Sequence, residues 1–332
     1  MLSFKKRSSP LIERLQVCRN RALVSPLGRS LRRRGKLLTL LVLLSILAGH
    51  RLSSRYLARK SWTYHPIATI PRPCPLPEYE LRSAATNEPQ QSSNLSICLT
   101  TLTDEASKSW QTKLLGWRNF DGLLQLTWDN KQRYCDKHGY RWFDESALLD
   151  PSRPPSWSKT RAVQRLLREE SCDWVFWLDA DTVIMNSEQR IEDFLPMEGD
   201  VLLSADDFGG YNAGVWLVRN TPWTQEWLDQ WWNMKSFVKP TGLAKSGDND
   251  ALKYLTAHMD DFDEHIKVPP RCTFNSFARF VPPHVYDQTV QRLDQDPWYL
   301  SNNDYHQGDF VAHVAGYDNK VDTIKLLLSM AK

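Results

Sequence analysis

The chain has 332 residues, 41% of them hydrophobic and 24% charged, an ordinary globular composition with room for one large core or two small ones. Its formal charge of +3 hides an asymmetry, since residues 1–36 hold eleven Lys or Arg against one Glu and leave the remainder net acidic. That balance excludes a nucleic-acid-binding face on the folded part.

The basic segment 1–36 reads as a cytosolic tail. Behind it LLTLLVLLSILAG, residues 37–49, is apolar apart from one Thr and one Ser. Length alone leaves a cleaved signal open, but the long basic stretch ahead and the lack of a clean small-x-small site favour a signal anchor over 37–52. Lys and Arg concentrated upstream put the amino terminus in the cytosol and everything after about residue 52 in the lumen. A span this short suits thin, early secretory membranes, so the expectation is a single-pass type II protein of the Golgi, with the ER as the alternative. Residues 53–95 carry Pro66, Pro71, Pro73, Pro75, Pro77 and Pro89 with scattered Ser and read as an extended stem. Asn94-Leu95-Ser96 is an acceptable N-glycosylation triplet, whereas Asn220-Thr221 is spoiled by Pro222. Cys74, Cys98, Cys135, Cys172 and Cys272 are all lumenal in this topology, so disulfides are permitted, but their pairing is not readable.

From residue 96 to 332 apolar runs alternate with helical patterns. Ile97 to Thr103 is a strand, Glu105 to His138 one or two helices, Tyr140 to Phe143 a strand, and Ser158 to Glu170 a helix with Ser158 as its N-cap. Trp174 to Leu178, Val201 to Ser204 and Val215 to Arg219 follow as strands, with helices near Thr224 to Met234 and Asp248 to His258. Such alternation predicts one α/β domain with a mainly parallel sheet and helices on both faces.

The WVFWL run Trp174–Leu178 ends abruptly in Asp179-Ala180-Asp181. Five large residues without a polar interruption read as a strand buried on both faces, which holds two carboxylates at a sheet edge where ligands bind. Hard cations such as Mn²⁺ or Mg²⁺ suit those oxygens. Asp-x-Asp also occurs at Asp248/Asp250, Asp261/Asp263 and Asp294/Asp296. The last two sit in polar, turn-like sequence and read as solvated surface groups. Lys159 and Arg161 fall in a first helical turn, where cations oppose the dipole and an anion is expected; a basic surface turn is the plainer alternative. Gly214, in Asn212-Ala213-Gly214, would let the backbone approach a ligand closely, or simply turn. Asp248 follows Gly247 at a helix start, where capping alone could account for it. His313 lies in the strand-like FVAHVAG, where a lone histidine is more often a hydrogen-bonded core residue than a ligand.

The blocks WSKTRAVQRLL, DWVFWLDADTVIMN, NAGVWLVRNTPWTQEWLDQWW, GDNDALKYL, VPPRCTFNSF and GDFVAHVAG together resemble, in order, glycosyltransferase family 34, which includes fungal α-galactosyl- and α-mannosyltransferases and plant α-xylosyltransferases. The resemblance implies a GT-A fold, a nucleotide-sugar donor, a glycan acceptor, Mn²⁺, retention of anomeric configuration and Golgi type II topology, with association of like chains or other glycosyltransferases open. It implies that Asp179, Asp181 and His313 hold the metal, that Lys159 and Asp179 lie near the donor diphosphate, that Asn212 and Gly214 line the transferred sugar, and that Asp248 stands near the reacting carbon. Two departures stand out. Plant members have two adjacent carboxylates before Gln, where this chain has Gly247, Asp248 and Asn249, and the diphosphate lysine expected just after the His-x-x-Gly block is displaced to Lys320. The donor implied is UDP-galactose, with GDP-mannose and UDP-xylose as alternatives.

Two rival readings come from other classes. WVFWLDADTV is similar to the opening block of a haloacid-dehalogenase-type phosphatase, yet two strand-helix units precede it and no apolar strand leads into Gly247-Asp248. A non-catalytic subunit of a glycosyltransferase complex is opposed by the intact Asp179, Asp181 and His313. Trp223, Trp227, Trp231 and Trp232 could stack on acceptor sugars, though packing of one helix explains them more cheaply.

Overall fold

The structure, a computed structural model, describes residue 45 and residues 65–66, 74–75, 77–82, 95–104, 120, 122–207, 209–240, 246–278, 280–281, 305–316 and 320–331. Ala58–Lys332 forms one compact unit, and every described strand falls within it. The tail and the glycosylation acceptor Asn94 lie outside the described residues, as do Asp294/Asp296 and, apart from Ser45, the segment 37–52. Among the described residues no helix is long and apolar enough to cross a membrane.

The described strands are β1 (His65–Pro66), β2 (Ile97–Thr101), β3 (Arg141–Asp144), β4 (Trp174–Leu178), β5 (Thr182–Ile184), β6 (Val201–Ala205), β7 (Tyr211–Arg219), β8 (Ile266–Lys267), β9 (Ser276–Phe277), β10 (Phe280–Val281) and β11 (Val311–His313). The helices are α1 (Leu123–His138), α2 (Lys159–Glu169), α3 (Pro222–Asn233), α4 (Asp248–Ala257), α5 (Phe262–His265) and α6 (Lys320–Met330). Of the helical region expected from Glu105, residues 105–119 lie outside the described set.

A six-stranded sheet runs in the order β3-β2-β4-β7-β6-β8. β2 pairs in parallel with β3 and β4, and β6 with β8, while β7 is antiparallel to both β4 and β6. The sheet is thus mixed, with three parallel and two antiparallel pairings among its described strands. Residues 206–210 joining β6 to β7 are too few for a parallel crossover, which needs a dozen or more.

All five residues of β4 are buried, as the unbroken apolar run requires. Trp174, Phe176 and Leu178 join Ile97, Val215 and Leu217 in one core, whereas Val175 and Trp177 join Trp216 and Leu166 in another. Period-two alternation thus feeds both cores at once. Trp227 and Trp231 pack against Trp216 and are buried, so packing of α3 accounts for these two. α3 begins two residues before its expected start because the Thr221 hydroxyl accepts from the Thr224 N–H at 3.2 Å with Pro222 in the first helical position.

A second sheet, β5-β11-β9, lies where β4 runs out. β11 is antiparallel to β5, with His313 opposite Thr182, and parallel to β9. The chain passes from one sheet to the other through Asp179-Ala180-Asp181. Two disulfides pin this frame, Cys98–Cys172 and Cys74–Cys272, and Cys135 is free and buried. Residues 74–75 and 77–82, within the stem drawn from composition, are attached to the fold. Besides the Cys74 bridge, the Tyr79 hydroxyl donates to the Phe194 carbonyl at 2.8 Å and the Arg82 N–H to Leu195 at 2.9 Å.

Candidate metal and donor site

The turn after β4 is fixed by backbone bonds. The Asp179 N–H donates to the Gly214 carbonyl at 2.8 Å, and the Thr182 hydroxyl to the Asp179 carbonyl at 2.7 Å. On the far side the Val314 N–H donates to the Asp181 carbonyl at 3.0 Å, so the end of β11 is sewn to the turn and His313 is carried to it. One ligand atom from each of Asp179, Asp181 and His313 lies within 4.8 Å of the others. Asp181 and His313 are buried, and the Asp179 side chain is 32% exposed, which leaves one side of the cluster open.

Asn275 orients the imidazole. Its amide nitrogen donates to Ser204 Oγ at 2.5 Å and Asn212 Oδ1 at 3.2 Å, so its oxygen faces His313 Nδ1 at 3.0 Å. An acceptor there requires the hydrogen on Nδ1 and, in the neutral ring, leaves the Nε2 lone pair toward Asp181, 3.5 Å away. Two carboxylates and one imidazole nitrogen suit a divalent ion that takes its remaining ligands from water or phosphate oxygens. The donor set therefore fits a metal.

Gly214 serves this cluster differently from the expected backbone-to-ligand approach. A Cβ there would stand 2.2 Å from His313 Cε1, so the missing side chain makes room for the imidazole. Asn212 and Gly214 lie within β7, whose strand begins four residues before the expected Val215. The Gly214 N–H donates to Asn212 Oδ1 at 2.9 Å, which joins both to the Asn275 network.

Lys159 is 2% exposed at the start of α2. Its Nζ lies 3.3 Å from Asp179, 3.1 Å from Asp248 and 2.8 Å from the Ala213 carbonyl. Burial favours the neutral amine, but the two carboxylates outweigh it and hold the ammonium above its ordinary range. The anion expected beside the first turn is thus supplied from within the chain, and Arg161 faces Asp229 at 2.6 Å instead. The expected Ser158 cap is not made. A 3₁₀ turn, Pro155–Ser158, runs straight into α2, and the Ser158 hydroxyl accepts from the Asp150 N–H at 2.9 Å.

Asp248 is the first residue of α4 and does not cap it. Its carboxylate meets Lys159 and the Ser246 hydroxyl. Burial raises its pKa, yet Lys159 more than offsets this and holds the group below the usual carboxylate range. The preceding position demands glycine, since Gly247 has φ +92° and a Cβ would fall 1.8 Å from the Phe237 carbonyl. That is the physical reason for Gly247 where a second carboxylate was expected. The following Asn249 accepts from the Ala213 N–H at 2.7 Å and ties α4 to β7. Lys320, 3% exposed at the start of α6, donates to Asp181 Oδ2 and to the Val314 carbonyl. Burial would raise the Asp181 pKa, but Lys320 and His313 pull it well below the usual carboxylate range.

The family model described as the galactosyl transferase GMA12/MNN10 family matches residues 110–202 and 196–322. The chain belongs to that family. Among family-34 relatives, "Galactomannan galactosyltransferase 1" of Cyamopsis tetragonoloba is 30% identical over 205 residues, 53% of this chain and 46% of its own length. "Probable alpha-1,6-mannosyltransferase MNN10" of Saccharomyces cerevisiae is 24% identical over 238 residues, 61% of this chain and 58% of its own. The chain spans about half the length of the curated relatives it matches. A solved "glycosyltransferase involved in the glycosylation of the major capsid of PBCV-1" aligns loosely, with 14% identity over 70% of this chain and 99% of that one and a TM-score of 0.46.

The residues that the resemblance assigned to metal and donor, Lys159, Asp179, Asp181, Asn212, Gly214, Asp248, His313 and Lys320, fall in one contact network in this family-34 chain, and Arg161 does not. Asn275, Trp177 and Ser246 were missed. Trp177 Nε1 donates to Asp179 Oδ1 at 2.7 Å. Asn275 carried one signal, a polar residue inside the otherwise apolar and small Phe274–Ala278 stretch. Asp261 is elsewhere, accepting from Trp223 Nε1 at 2.8 Å.

Proposed function

We propose that the chain is a metal-dependent, retaining hexosyltransferase of GT-A architecture that moves a sugar from a nucleotide-sugar donor, UDP-galactose, to a glycan acceptor. GDP-mannose and UDP-xylose are the alternative donors, in keeping with the relatives named galactosyltransferase and mannosyltransferase. The observation that carries the reading is the convergence of Asp179, Asp181 and His313 from two sheets on one point beside an ion-paired Lys159 and Asp248.

Cleavage of the bond from the anomeric carbon to the diphosphate leaves the electron pair on the diphosphate oxygen. A bound Mn²⁺ or Mg²⁺ held by Asp179, Asp181 and His313 would neutralise that charge without a proton. Lys159 bridges Asp179 and Asp248 and fixes their separation; it holds Asp248 ionised, while at Asp179 burial outweighs it and raises the carboxyl pKa. Asp248, kept anionic by Lys159 and Ser246, stabilises positive charge at the anomeric carbon. The Asn212-Ala213-Gly214 edge of β7 lines the sugar side of the same centre. The basic segment 1–36 and the apolar segment 37–52 support placement in the Golgi membrane with the catalytic part in the lumen. The phosphatase resemblance rests on the β4 block and Val201–Ser204, whereas the family match runs over residues 110–202 and 196–322, which supports the transferase reading.

Donor hydrolysis by the full chain tests this, with UDP-galactose, GDP-mannose and UDP-xylose each assayed with Mn²⁺ and with chelator. Turnover of one donor that chelation abolishes is expected. Release of phosphate from simple monoesters with no donor turnover would overturn the reading. Asp181→Asn should remove most turnover, by about 10²-fold or more, with an unchanged circular dichroism spectrum.

A further inference from the structure

Asp248, the first residue of α4, belongs to the site described above, while the far end of the same helix borders an open hollow of about 570 Å³. Gln230 and Asn233 reach this hollow from the end of α3, Tyr254 and His258 from α4, and Met259 and Asp260 from the segment beyond. Tyr254 is 49% exposed, and its ring stacks on that of His258 with centroids 4.0 Å apart and planes 22° apart. Among the described residues the side chains of Gln230, Asn233 and Asp260 make no hydrogen bond or ion pair. The hollow therefore offers flat rings beside amide and carboxylate groups that the chain itself does not use.

That chemistry selects the class of ligand. The lining holds Asp260 and Asp261 and no Lys or Arg, which disfavours phosphates, nucleotides and other anions. A metal would lack a third ligand, since among the described residues Asp179, Asp181 and His313 form the one group close enough to share an ion. A wholly apolar molecule would strip water from two amides and a carboxylate and return nothing. What fits is a neutral ring with C–H groups on its face and hydroxyls on its edge: the face packs on an aromatic ring, an amide both donates to and accepts from a hydroxyl, and a carboxylate accepts from one. A pyranose sugar has that form. Asp250, Tyr254 and His258 are spaced by four and share one side of α4, so they run from beside Asp248 to the hollow. The ten residues of the helix span about 15 Å. A single sugar in the hollow is out of reach of Asp248, whereas a chain of linked sugars is not.

We propose that the hollow between the ends of α3 and α4 binds a neutral oligosaccharide and is a distal subsite, which holds one part of an acceptor chain while another part lies at Asp248. The binding itself stands on the hollow alone; its role as a distal subsite rests on the transferase reading above. Contacts made far from the reacting carbon then give long acceptors an advantage over short ones.

Tyr254→Ala removes one of the stacked rings and Asn233→Ala one of the amides, both at exposed positions where the fold is not at stake. Calorimetric titration of the full chain with mannohexaose and with maltohexaose should show binding of at least one, weakened at least about fivefold in each variant. Hexagalacturonate, of equal length but acidic, should bind more weakly than the neutral oligomer. In the transfer assay Tyr254→Ala should raise the ratio of the KM for the bound hexasaccharide to the KM for its disaccharide at least about fivefold; a tyrosine that merely supports the fold would move both alike. No binding of either neutral oligomer, equal binding by the parent and both variants, or preference for hexagalacturonate overturns the site. Weakened binding with an unchanged KM ratio overturns the distal role. Weakened binding in a chain that turns over no donor would leave the oligosaccharide site standing and sink the transferase reading.

Discussion

Asn275 sets the imidazole and touches none of the three oxygen or nitrogen ligand atoms that a metal would use. Replacing a group that orients a metal-bound histidine costs metal affinity while the ligands remain. Asn275→Ala should therefore weaken Mn²⁺ binding by about 10- to 100-fold and lower stability by about 1–3 kcal/mol, since His313 Nδ1 and Ser204 lose a buried partner; calorimetry and urea unfolding check the two. Gly214→Ala should be more severe, because the added carbon collides with the ring and His313 must leave its place. Lys131 behaves differently. It is fully buried with its Nζ on the Thr127 hydroxyl at 3.0 Å, and burial pushes its pKa down to about 7 against the pull of Asp181 and Asp179. The folded chain binds fewer protons than the unfolded one between about pH 7 and the ordinary lysine value near 10, so this group adds stability as pH rises through that window. Lys131→Met should raise the urea midpoint at pH 6, by about 1–3 kcal/mol in stability, and flatten the rise toward pH 9; an unchanged midpoint at pH 6 would refute the cost. Asp179 and Asp181 were legible because a buried strand announces what its end will present. Asn275 and Lys131 were not, since nothing local in a sequence says which polar side chain is buried against which partner.

Elements were legible where burial repeats with a fixed period. β4, α2 and α4 stand within a residue or two of expectation, because five apolar residues in a row, or a stripe at helical spacing, have few ways to be buried. Errors came at ends and pairings. β7 starts at Tyr211 because Asn212 bonds within the sheet network, and α2 starts from a 3₁₀ turn that no capping rule marks. The Cys98–Cys172 pairing depends on β2 and β4 lying side by side, with Cys98 opposite Val175. That bridge closes a loop of 74 residues in sequence between adjacent strands. The double variant Cys98→Ala/Cys172→Ala should lose about 2–4 kcal/mol of stability, measured by guanidinium unfolding against the untreated parent. A loss within error would mean that pairing of β2 with β4 alone suffices.

Across the whole molecule the site is a meeting of segments drawn from Lys159 to Lys320, β4 with α2 and α4 on one side and β11 with α6 on the other. Two of its three carboxylates, Asp181 and Asp248, give the fold a pH dependence opposite in sign to that of Asp179, whose pKa burial raises. Asp181 and Asp248 both ionise more readily folded than free, so the stability they supply is complete above the ordinary carboxylate range near pH 4 and is lost as pH falls through their lower folded values. Thermal unfolding should show a midpoint that drops from about pH 4 downward and, in Asp248→Asn, drops less; equal slopes would remove Asp248 from the account. The order of apolar and polar residues was enough to place an α/β domain and a pair of acidic groups at the end of a hidden strand, because burial of a single element depends on its own residues. Which lysine sits on which carboxylate, why position 214 tolerates no side chain, and how His313 arrives opposite Thr182 depend on two sheets meeting. Contacts of that kind are set by packing between distant parts of the chain, and no local pattern encodes them.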